Sequence, residues 1–426
     1  MSIFKDTNLS SPVFKKLIEP LGDYTSDNPY HRICKTLSDR QILEMGILRV
    51  LSEASSGRGF LEKMSNLSNI LIGVPTFFEA LKSLRRLKFT RHVLTTLCSK
   101  MRELRSSKDP LSGYKELEKF DIYAGDGHYH KSSAHDNRIC GKKYAVQNFY
   151  SLSLRSYSLS HLSLAEMGGE RKKESDIRAL KRMDLKELRQ GARVGRKVLY
   201  VWDKACLDFP QWKKWKEGGV YFLSRNKTNL RYGEHEDLCF DKNDPVNQGV
   251  VMDQMLQAHD GSQVRRVLFI CPIRKQTFSF ITNLPKTIRP GVIAFLYRLR
   301  WSIEKVYDEL KNKMNEKKAW AKTDEAKTTQ ALLICISFNL MVLFEDRIEQ
   351  DDDIVNEKDK KRRVDRLEQD IKNAGISQKS VPDMLKKIQR ITQRPIKLFR
   401  WIKDFLFSNT PWAVAIERLW VSYGRF

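Results

Sequence analysis

Cysteine is scarce in this sequence, and its positions lack the spacing of a metal or disulfide site. Seven cysteines are scattered over 426 residues, and no two of them form a C-x-x-C pair. This pattern argues against a zinc ribbon and a disulfide scaffold, and it fits a reducing, cytoplasmic setting.

A long apolar run is also missing. The longest one, Ala331 to Phe344, has 14 residues and includes Ser337 and Asn339, whereas a transmembrane helix needs about 20. The first ten residues are polar and lack the apolar core of a signal peptide. We therefore expect no membrane insertion.

Acidic residues are outnumbered by basic ones, and this excess of positive charge indicates what kind of molecule the protein binds. Lys and Arg total 77 against 52 Asp and Glu, which gives a net charge of +25. Such a charge repels itself unless a polyanion offsets it, so nucleic acid is the expected partner and an anionic membrane surface the weaker alternative. With 41% hydrophobic and 10% aromatic residues the chain can bury a core, and its length suggests roughly two to four domains.

Helical patterns occupy residues 1–112. Two capping-box sequences, Ser38-x-x-Gln41 and Thr76-x-x-Glu79, predict helix starts at these points. The basic stretch 81–88 has leucines at helical spacing. Its charged face has two interpretations, contact with a phosphate backbone or an ordinary solvated face.

Strand patterns begin near residue 118 and alternate with helical ones. Their order is strand, hairpin, helix, strand, helix, strand, at 119–124, 148–155 with 158–167, 173–189, 198–202, 209–216 and 220–223. That order is typical of a mixed α/β sheet.

The pattern changes again after residue 228. Strand-like runs at 250–256, 264–273 and 277–282 predict a β-rich insertion over 228–288. Two long helices are predicted after it, at 290–314 and 324–349. The charged stretch 351–366 predicts a solvated helix or a linker, and the rest of the chain predicts helices with Trp401, Trp412 and Trp420 in a small core.

Three carboxylates occupy positions suited to metal chemistry. Asp126 follows the first predicted strand, Asp203 ends the apolar strand 198–202, and Glu304 lies within the helix 290–314. Sites in open α/β sheets lie at strand ends, and a helix packed beside that edge can add a third carboxylate. Two Mg²⁺ ions held by such oxygens can activate a water or a 3′-hydroxyl at a phosphodiester. Taken singly, the three residues have plainer interpretations as a turn residue, a helix N-cap and a surface charge.

One face of the helix 290–314 gathers side chains suited to phosphate and metal. At about 100° per residue, a narrow arc holds Tyr297, Arg300, Glu304 and Lys311. The apolar stripe beside it consists of Leu296, Leu299, Ile303, Val306, Leu310 and Met314. Arginine and lysine on such a face can hold phosphates, and the glutamate can bind a metal. Salt links within the helix are the plainer alternative.

The spacing Tyr297-x2-Arg300-x3-Glu304-x6-Lys311 resembles the Tyr-Arg-Glu-Lys signature of DDE transposases from bacterial insertion sequences. The resemblance covers residues 120 to 345, because Asp126 and Asp203 also stand at the expected strand ends. It implies an α/β fold of the ribonuclease-H-like type: a mixed sheet with helices, interrupted by the β-rich insertion and flanked by helical N- and C-terminal regions.

The resemblance also implies a division into domains. Residues 1–112 would bind the terminal repeats of the element, 113–345 would form the catalytic core, and 346–426 would help to pair subunits. Synapsis of two DNA ends implies a homodimer. The expected setting is the bacterial cytoplasm, in action on the nucleoid.

The activity that the resemblance implies is DNA transposition. Asp126, Asp203 and Glu304 would coordinate two divalent ions, Mg²⁺ with Mn²⁺ as a substitute. Phosphates at the transposon end would be contacted by Tyr297, Arg300 and Lys311. Hydrolysis would free a 3′-hydroxyl at each end of double-stranded element DNA, and this hydroxyl would attack target DNA. Two other functions stay open: a metal-dependent nuclease of the same superfamily, and a catalytically inactive DNA-binding relative.

The insertion departs from such relatives in its aromatic residues. Relatives can stack a tryptophan of the insertion on a flipped base, but residues 228–288 contain none. Trp212 and Trp215 lie just before this segment, and Phe240 or Phe269 are the candidate substitutes.

Four further aromatic side chains have open roles. His128 can be interpreted as a contact to a phosphate or to a metal-bound water. Together, His128, His130 and His135 can be interpreted as a zinc site or as structural residues. Trp301 lies next to the site face of its helix. It is expected to pack against the sheet, with base stacking as the alternative.

Overall fold

The computed structural model describes residues 11–34, 36–52, 56–68, 72–138, 141–168, 172–314, 316–375 and 393–424. Its N-terminal part is helical, with α1 (Pro12–Ile18), α2 (Asp39–Leu51), α3 (Gly57–Ser68), α4 (Val74–Lys82) and α5 (Leu84–Leu104). The first predicted capping box is confirmed at α2. The Ser38 hydroxyl accepts from the Gln41 amide at 3.1 Å, and the Gln41 side chain accepts from the Ser38 amide at 2.8 Å.

The second predicted capping box, at Thr76, is wrong. Helix α4 begins at Val74, with Gly73 as its N-cap and Pro75 in its first turn, so Thr76 already lies inside the helix. Proline sets this earlier start because its fixed φ suits the first helical turn.

The two arginines of the basic stretch 81–88 serve neither of the predicted purposes. Arg85 Nη1 and Arg86 Nε contact the Asp39 carboxylate at 2.7 and 3.1 Å, and the Asp39 side chain is fully buried. These ion pairs anchor the start of α5 to the start of α2. The two guanidinium groups are therefore neither offered to a phosphate backbone nor simply solvated.

Among the described residues, nine strands form one mixed sheet. They are β1 (Phe120–His130), β2 (Val146–Ser153), β3 (Leu159–Leu164), β6 (Lys197–Val201), β7 (Val220–Arg225), β8 (Tyr232–Asp237), β9 (Val250–Ala258), β10 (Gln263–Ile270) and β11 (Thr277–Thr282), while β4 (Met167–Gly168) and β5 (Lys172–Lys173) pair separately. The order is β3-β2-β1-β6-β7-β11-β10-β9-β8. Strands β1, β6 and β7 are parallel, and β2 is antiparallel to both β1 and β3. This is the mixed α/β, ribonuclease-H-like sheet that the sequence predicted.

The predicted β-rich insertion is present, and it continues the core sheet. Strand β11 pairs antiparallel with β7, with Phe280 opposite Arg225. Strands β10, β9 and β8 then extend the sheet outward. The insertion therefore joins the core sheet at β7, next to β6, the strand that precedes Asp203.

The helices of the core are α6 (Asp176–Arg182), α7 (Leu185–Leu188), α8 (Phe209–Glu217), α9 (Pro290–Leu299), α10 (Trp301–Asn312) and α11 (Asp324–Asp351). Two predicted helices are divided. The helix 173–189 separates into α6 and α7 because Asp184 accepts from the Glu187 amide and starts a new helix. The helix 290–314 separates at Arg300, where the amide of Arg300 donates to Tyr297 O in an i→i−3 bond of a tighter turn.

The C-terminal helices are α12 (Glu357–Asn373), α13 (Ile396–Phe405) and α14 (Trp412–Gly424). Trp401 is buried, and its indole N–H donates to Ala415 O at 2.6 Å. Trp412 packs against this core, but Trp420 is 63% exposed, so its predicted place in the core is wrong. The inward side of α14 is formed by the smaller side chains Ala415 and Leu419 instead.

One apolar cluster runs from the N-terminal helices through α9, α10 and α11 to α13 and α14, and a second cluster covers the other face of the sheet. In the described ranges, no helix is long and apolar enough to cross a membrane. The six cysteines in these ranges are unpaired. Cys140 and the polar first ten residues lie outside the described residues.

Candidate active site

Parallel pairing of β1 with β6 brings two candidate carboxylates to one edge of the sheet. Ala124 pairs with Val201, so Asp126 and Asp203, each two residues further along, follow on neighbouring strands. Asp203 caps a short 3-10 helix, and its carboxylate accepts from the Ala205 amide.

Asp126 lies within β1 and not in a turn after it, which corrects the predicted end of this strand. Strand β1 continues to His130 because β2 pairs with it over that whole length. The glycines on either side of Asp126 are required by close packing. A Cβ on Gly125 would lie 2.6 Å from the Trp202 ring, and one on Gly127 would lie 2.7 Å from Gln147 Nε2.

Negative charge is concentrated around Asp126. Burial raises the pKa of Asp126 to about 6, although the Arg300 charge and the Gly127 amide act in the opposite direction. The nearby carboxylates of Asp203 and Asp176 raise this pKa further. A site in which carboxylates disfavour one another's charge is suited to a bound cation.

Glu304 reaches the same edge through Arg300. Arg300 Nη2 donates to Glu304 Oε1 at 2.8 Å, and Arg300 Nη1 lies 3.7 Å from Asp126 Oδ2. The Arg300 side chain is 7% exposed, whereas the Glu304 side chain is 36% exposed. Arg300 therefore bridges the acid of β1 and the acid of α10 as a buried positive charge.

The donor chemistry at this edge fits a divalent cation, since carboxylate oxygens are the ligands that Mg²⁺ and Mn²⁺ prefer. Among the described residues, no three His, Cys, Asp or Glu side chains stand close enough to hold one metal ion together as arranged. The Glu304 carboxylate is held in an ion pair with Arg300 instead.

A fourth carboxylate, Asp176, was missed by the sequence analysis. It opens α6, its Oδ1 accepts from Gln147 Nε2 at 2.8 Å, and burial together with the charge of Asp203 raises its pKa in spite of that bond. The signal in the sequence was weak, since a single Asp at a helix start is usually a capping or first-turn residue. Only the packing of α6 against the segment after Asp203 reveals its position.

Tyr307, one turn beyond Glu304, ties α10 to β1. Its hydroxyl donates to Asp126 O at 2.7 Å, and its ring stacks on His128 at 4.6 Å. His128 Nε2 lies 3.2 Å from the buried Glu316, which also accepts from the Tyr150 hydroxyl. His128 thus belongs to a buried polar group that supports the strand behind Asp126.

The other two histidines do not join His128 in a zinc site. His130 Nε2 lies 3.1 Å from Asn148 Nδ2, and its Nδ1 lies 3.1 Å from Lys131 O. His135 is exposed in the loop that follows β1. The structural interpretation of His128 and His130 is therefore the one that the contacts favour.

The four residues of the predicted helix face are not equally close to the carboxylates. Tyr297 is buried beside Arg300, with 5.5 Å between its ring and the guanidinium carbon. Lys311 is exposed near the end of α10, two turns beyond Glu304. Trp301 is 57% exposed, so its expected packing against the sheet is wrong. The six residues of the predicted apolar stripe are all buried, as expected.

The aromatic residues considered for base stacking in or near the insertion are mostly enclosed. Trp212 and Trp215 are fully buried against Phe222, and Phe269 is 7% exposed. Phe240 is partly exposed, in the segment between β8 and β9. Among these four, Phe240 alone offers part of its ring to solvent.

Comparison with known proteins agrees with the site. A family model described as a transposase DDE domain matches residues 156–340, a range that includes Asp203 and Glu304 and begins after Asp126. A search of curated proteins found no match. Proteins of this domain family generally use divalent metal ions and act on DNA. The ribonuclease-H-like sheet, the carboxylates at its edge and this match together support a DDE transposase of an insertion-sequence family.

Proposed function

We propose that this transposase cuts DNA at the ends of its own insertion sequence and transfers the freed 3′-hydroxyl into target DNA. One observation carries the proposal: Asp126 and Asp203 follow on neighbouring parallel strands, and Arg300 brings Glu304 to the same edge. The net charge of +25 fits a DNA substrate, because phosphate neutralisation dominates nucleic-acid binding.

In this proposal, Asp126, Asp203 and Glu304 hold two divalent ions, Mg²⁺ or, as a substitute, Mn²⁺. When bound, these ions supply activation of the attacking oxygen and stabilisation of the leaving oxygen. The protein's own contribution is positioning. Strand pairing fixes the two aspartates, and the hydroxyl of Tyr307 fixes α10 against β1.

Three residues of the signature are proposed to contact phosphates of the element end. Arg300 is pre-positioned beside the carboxylates, so a guanidinium released from Glu304 can turn to an incoming phosphate. The Tyr297 ring lies against the Arg300 guanidinium and so helps to hold it in position. Lys311 is exposed on the same helix and extends the contact surface along the DNA.

The remaining regions are assigned by their position around the core. We propose terminal-repeat binding for 1–112, catalysis for 113–345 and subunit pairing for 346–426, with a homodimer that joins two element ends. The protein would act on nucleoid DNA in the bacterial cytoplasm. The continuity of one apolar cluster through all three regions supports a chain in which they act as one body.

The decisive experiment is a cleavage assay on linear DNA that carries the native sequences flanking the reading frame. The wild type with Mg²⁺ is compared with Glu304→Gln, which keeps the size of the side chain and removes its charge. Metal-dependent cuts at the repeat boundaries, absent in the variant, support the transposase. Scattered cuts that depend on Glu304 would instead support a nuclease. Binding without cleavage in both Mg²⁺ and Mn²⁺ would support an inactive DNA-binding relative.

A further inference from the structure

A large cleft opens directly beside the carboxylate site and shares Tyr297 and Arg300 with it. Its volume is about 1420 Å³, and it lies between the β10–β11 end of the insertion, helix α9 and the C-terminal helices α12 and α13. Arg300 and Trp301 form the border between the cleft and the site. The predicted signature assigns no role to the rest of this cleft.

The lining of the cleft is strongly cationic. Seven arginines and four lysines line it, against two carboxylates, Asp365 and Asp370. Some of these cations are already neutralised, as Arg300 is by Glu304 and Arg394 is by Glu309. The excess of positive charge that remains is suited to a polyanion.

Two arginines of the cleft, Arg274 and Arg298, repel each other, and among the described residues no carboxylate pairs with either of them. Arg298 of α9 is partly buried, and burial together with the charge of Arg274 lowers its pKa, although Cys271 and Asp370 act in the opposite direction. Among the described residues, neither Arg274 nor Arg298 forms an ion pair with a carboxylate; Asp370 acts on Arg298 only from a distance. Two neighbouring guanidinium groups in this state are stabilised when an anion lies between them.

Aromatic rings lie among these cations. Phe278 and Phe280 stack with centroids 6.0 Å apart, and Arg225 lies over the Phe278 ring at 5.2 Å. Trp301 adds an exposed ring at the border with the site. Phe280 is 3% exposed, so Trp301 is the ring of these three that is most open to a base. A concave surface that combines cations with an exposed aromatic ring is typical of single-strand binding, where phosphates and base faces are both contacted.

We propose that this cleft binds a single-stranded segment of DNA that leads away from the carboxylate site, with Arg274 and Arg298 clamping its phosphates. The inference rests on the proposed function, because it takes the DNA of that reaction as its ligand. It adds a second DNA contact surface, formed by the insertion, α9 and the C-terminal helices. The exposed ring of Trp301 at the border favours a single strand, whose bases are open to stacking.

The test is equilibrium binding of a fluorescently labelled single-stranded oligonucleotide, measured by anisotropy in EDTA over a range of salt concentrations. All proteins carry Glu304→Gln, so that no cleavage occurs and a failed cleavage assay does not affect the result. The double variant Arg274→Gln/Arg298→Gln is compared with Arg231→Gln. Arg231 is exposed in the insertion outside the cleft, and its replacement removes the same kind of charge.

We expect the double variant to bind about tenfold more weakly and to reduce the slope of log K against log salt by about 1.4, which is about 0.7 for each lost phosphate contact. Arg231→Gln should stay within about twofold of its parent, because a single distant charge adds little. Arg298→Lys keeps the charge and should keep most of the affinity. Thermal unfolding followed by circular dichroism checks that each variant is folded, and Arg274→Gln alone, at an exposed position, provides the test if Arg298→Gln does not fold.

Three results would overturn the proposal. In the first, the double variant binds the oligonucleotide as well as Arg231→Gln does. In the second, the parent protein fails to bind the single strand at all. In the third, the double variant loses affinity for duplex DNA only, which would move the two arginines to a duplex-binding surface. Because none of these measurements uses catalysis, the proposed reaction stands or fails separately in the cleavage assay.

Discussion

The clearest thermodynamic consequence of the site is that Asp126 lowers the stability of the metal-free protein at neutral pH. Its pKa of about 6 lies above the ordinary value of 3.8. The folded protein therefore holds this proton more tightly than the unfolded chain does. As a result, the stability that protonated Asp126 contributes at pH 4 is lost as the pH rises through 6. This difference in the pKa of Asp126 lowers the free energy of unfolding by about 3 kcal/mol once Asp126 is fully ionised, taking 1.36 kcal/mol per pKa unit.

Asp126→Asn removes that cost, because asparagine stays neutral and can still accept the Gly127 amide at the position of Asp126 Oδ1. We expect the metal-free variant to unfold at higher denaturant or temperature than the wild type at pH 8, by up to about 3 kcal/mol, with little difference at pH 4. Mg²⁺ should raise the stability of the wild type at pH 8 and leave the variant nearly unchanged, since a ligand stabilises only the state that binds it.

A matched control lies on the same strand. Burial raises the pKa of Asp121, but hydrogen bonds and charge from Arg193 at 2.5 Å outweigh burial and leave this pKa below its ordinary value. Its contribution to stability is present at neutral pH and is lost as the pH falls, so Asp121→Asn should destabilise the protein at pH 8. The reasoning about Asp126 is refuted if Asp126→Asn is no more stable than the wild type at pH 8, or if it behaves like Asp121→Asn.

Three further variants test the catalytic edge. Glu304→Gln should abolish cleavage and leave binding of the DNA ends nearly intact in a mobility-shift assay; loss of both together with loss of folding would remove the metal-ligand role. Arg300→Ala should weaken cleavage by about tenfold or more without unfolding the chain, and wild-type activity would contradict the phosphate role. Tyr307→Phe removes the bond to Asp126 O and should cost about 1 kcal/mol in chemical denaturation, with a larger relative loss in the cleavage rate than in DNA affinity. Equal losses in rate and affinity would argue against positioning.

Much of the fold could be predicted because its signals are local. Period-two alternation locates β2 and β3, the apolar run before Asp203 locates β6, and three apolar runs locate β9, β10 and β11. The sequence could not predict that β11 joins β7, because edge-to-edge pairing depends on residues that are far apart in the chain. The insertion was therefore recognised as β-rich, but its place in the core sheet was not.

The exposure of single aromatic residues was predicted less well. Trp301 and Trp420 were both assigned to buried surroundings, and both are more than half exposed. A helical wheel gives a residue's direction but not what lies opposite to it. At Trp301 the neighbouring space is the open cleft, and at α14 the inward positions are filled by smaller side chains.

The candidate site shows why a sequence motif does not fix geometry. The wheel placed Tyr297, Arg300, Glu304 and Lys311 on one face because it assumed one straight helix. The helix in fact divides at Arg300, and the buried guanidinium group contacts both Asp126 and Glu304 from that junction. Lys311 meanwhile stays in solvent at the far end of α10. The break in the helix thus places the positive charge of Arg300 inside the site. Under the proposed function, this cation holds Glu304 until a metal ion or a phosphate competes for the two groups, and we expect the same residue to link metal binding at the carboxylates to DNA binding in the adjoining cleft.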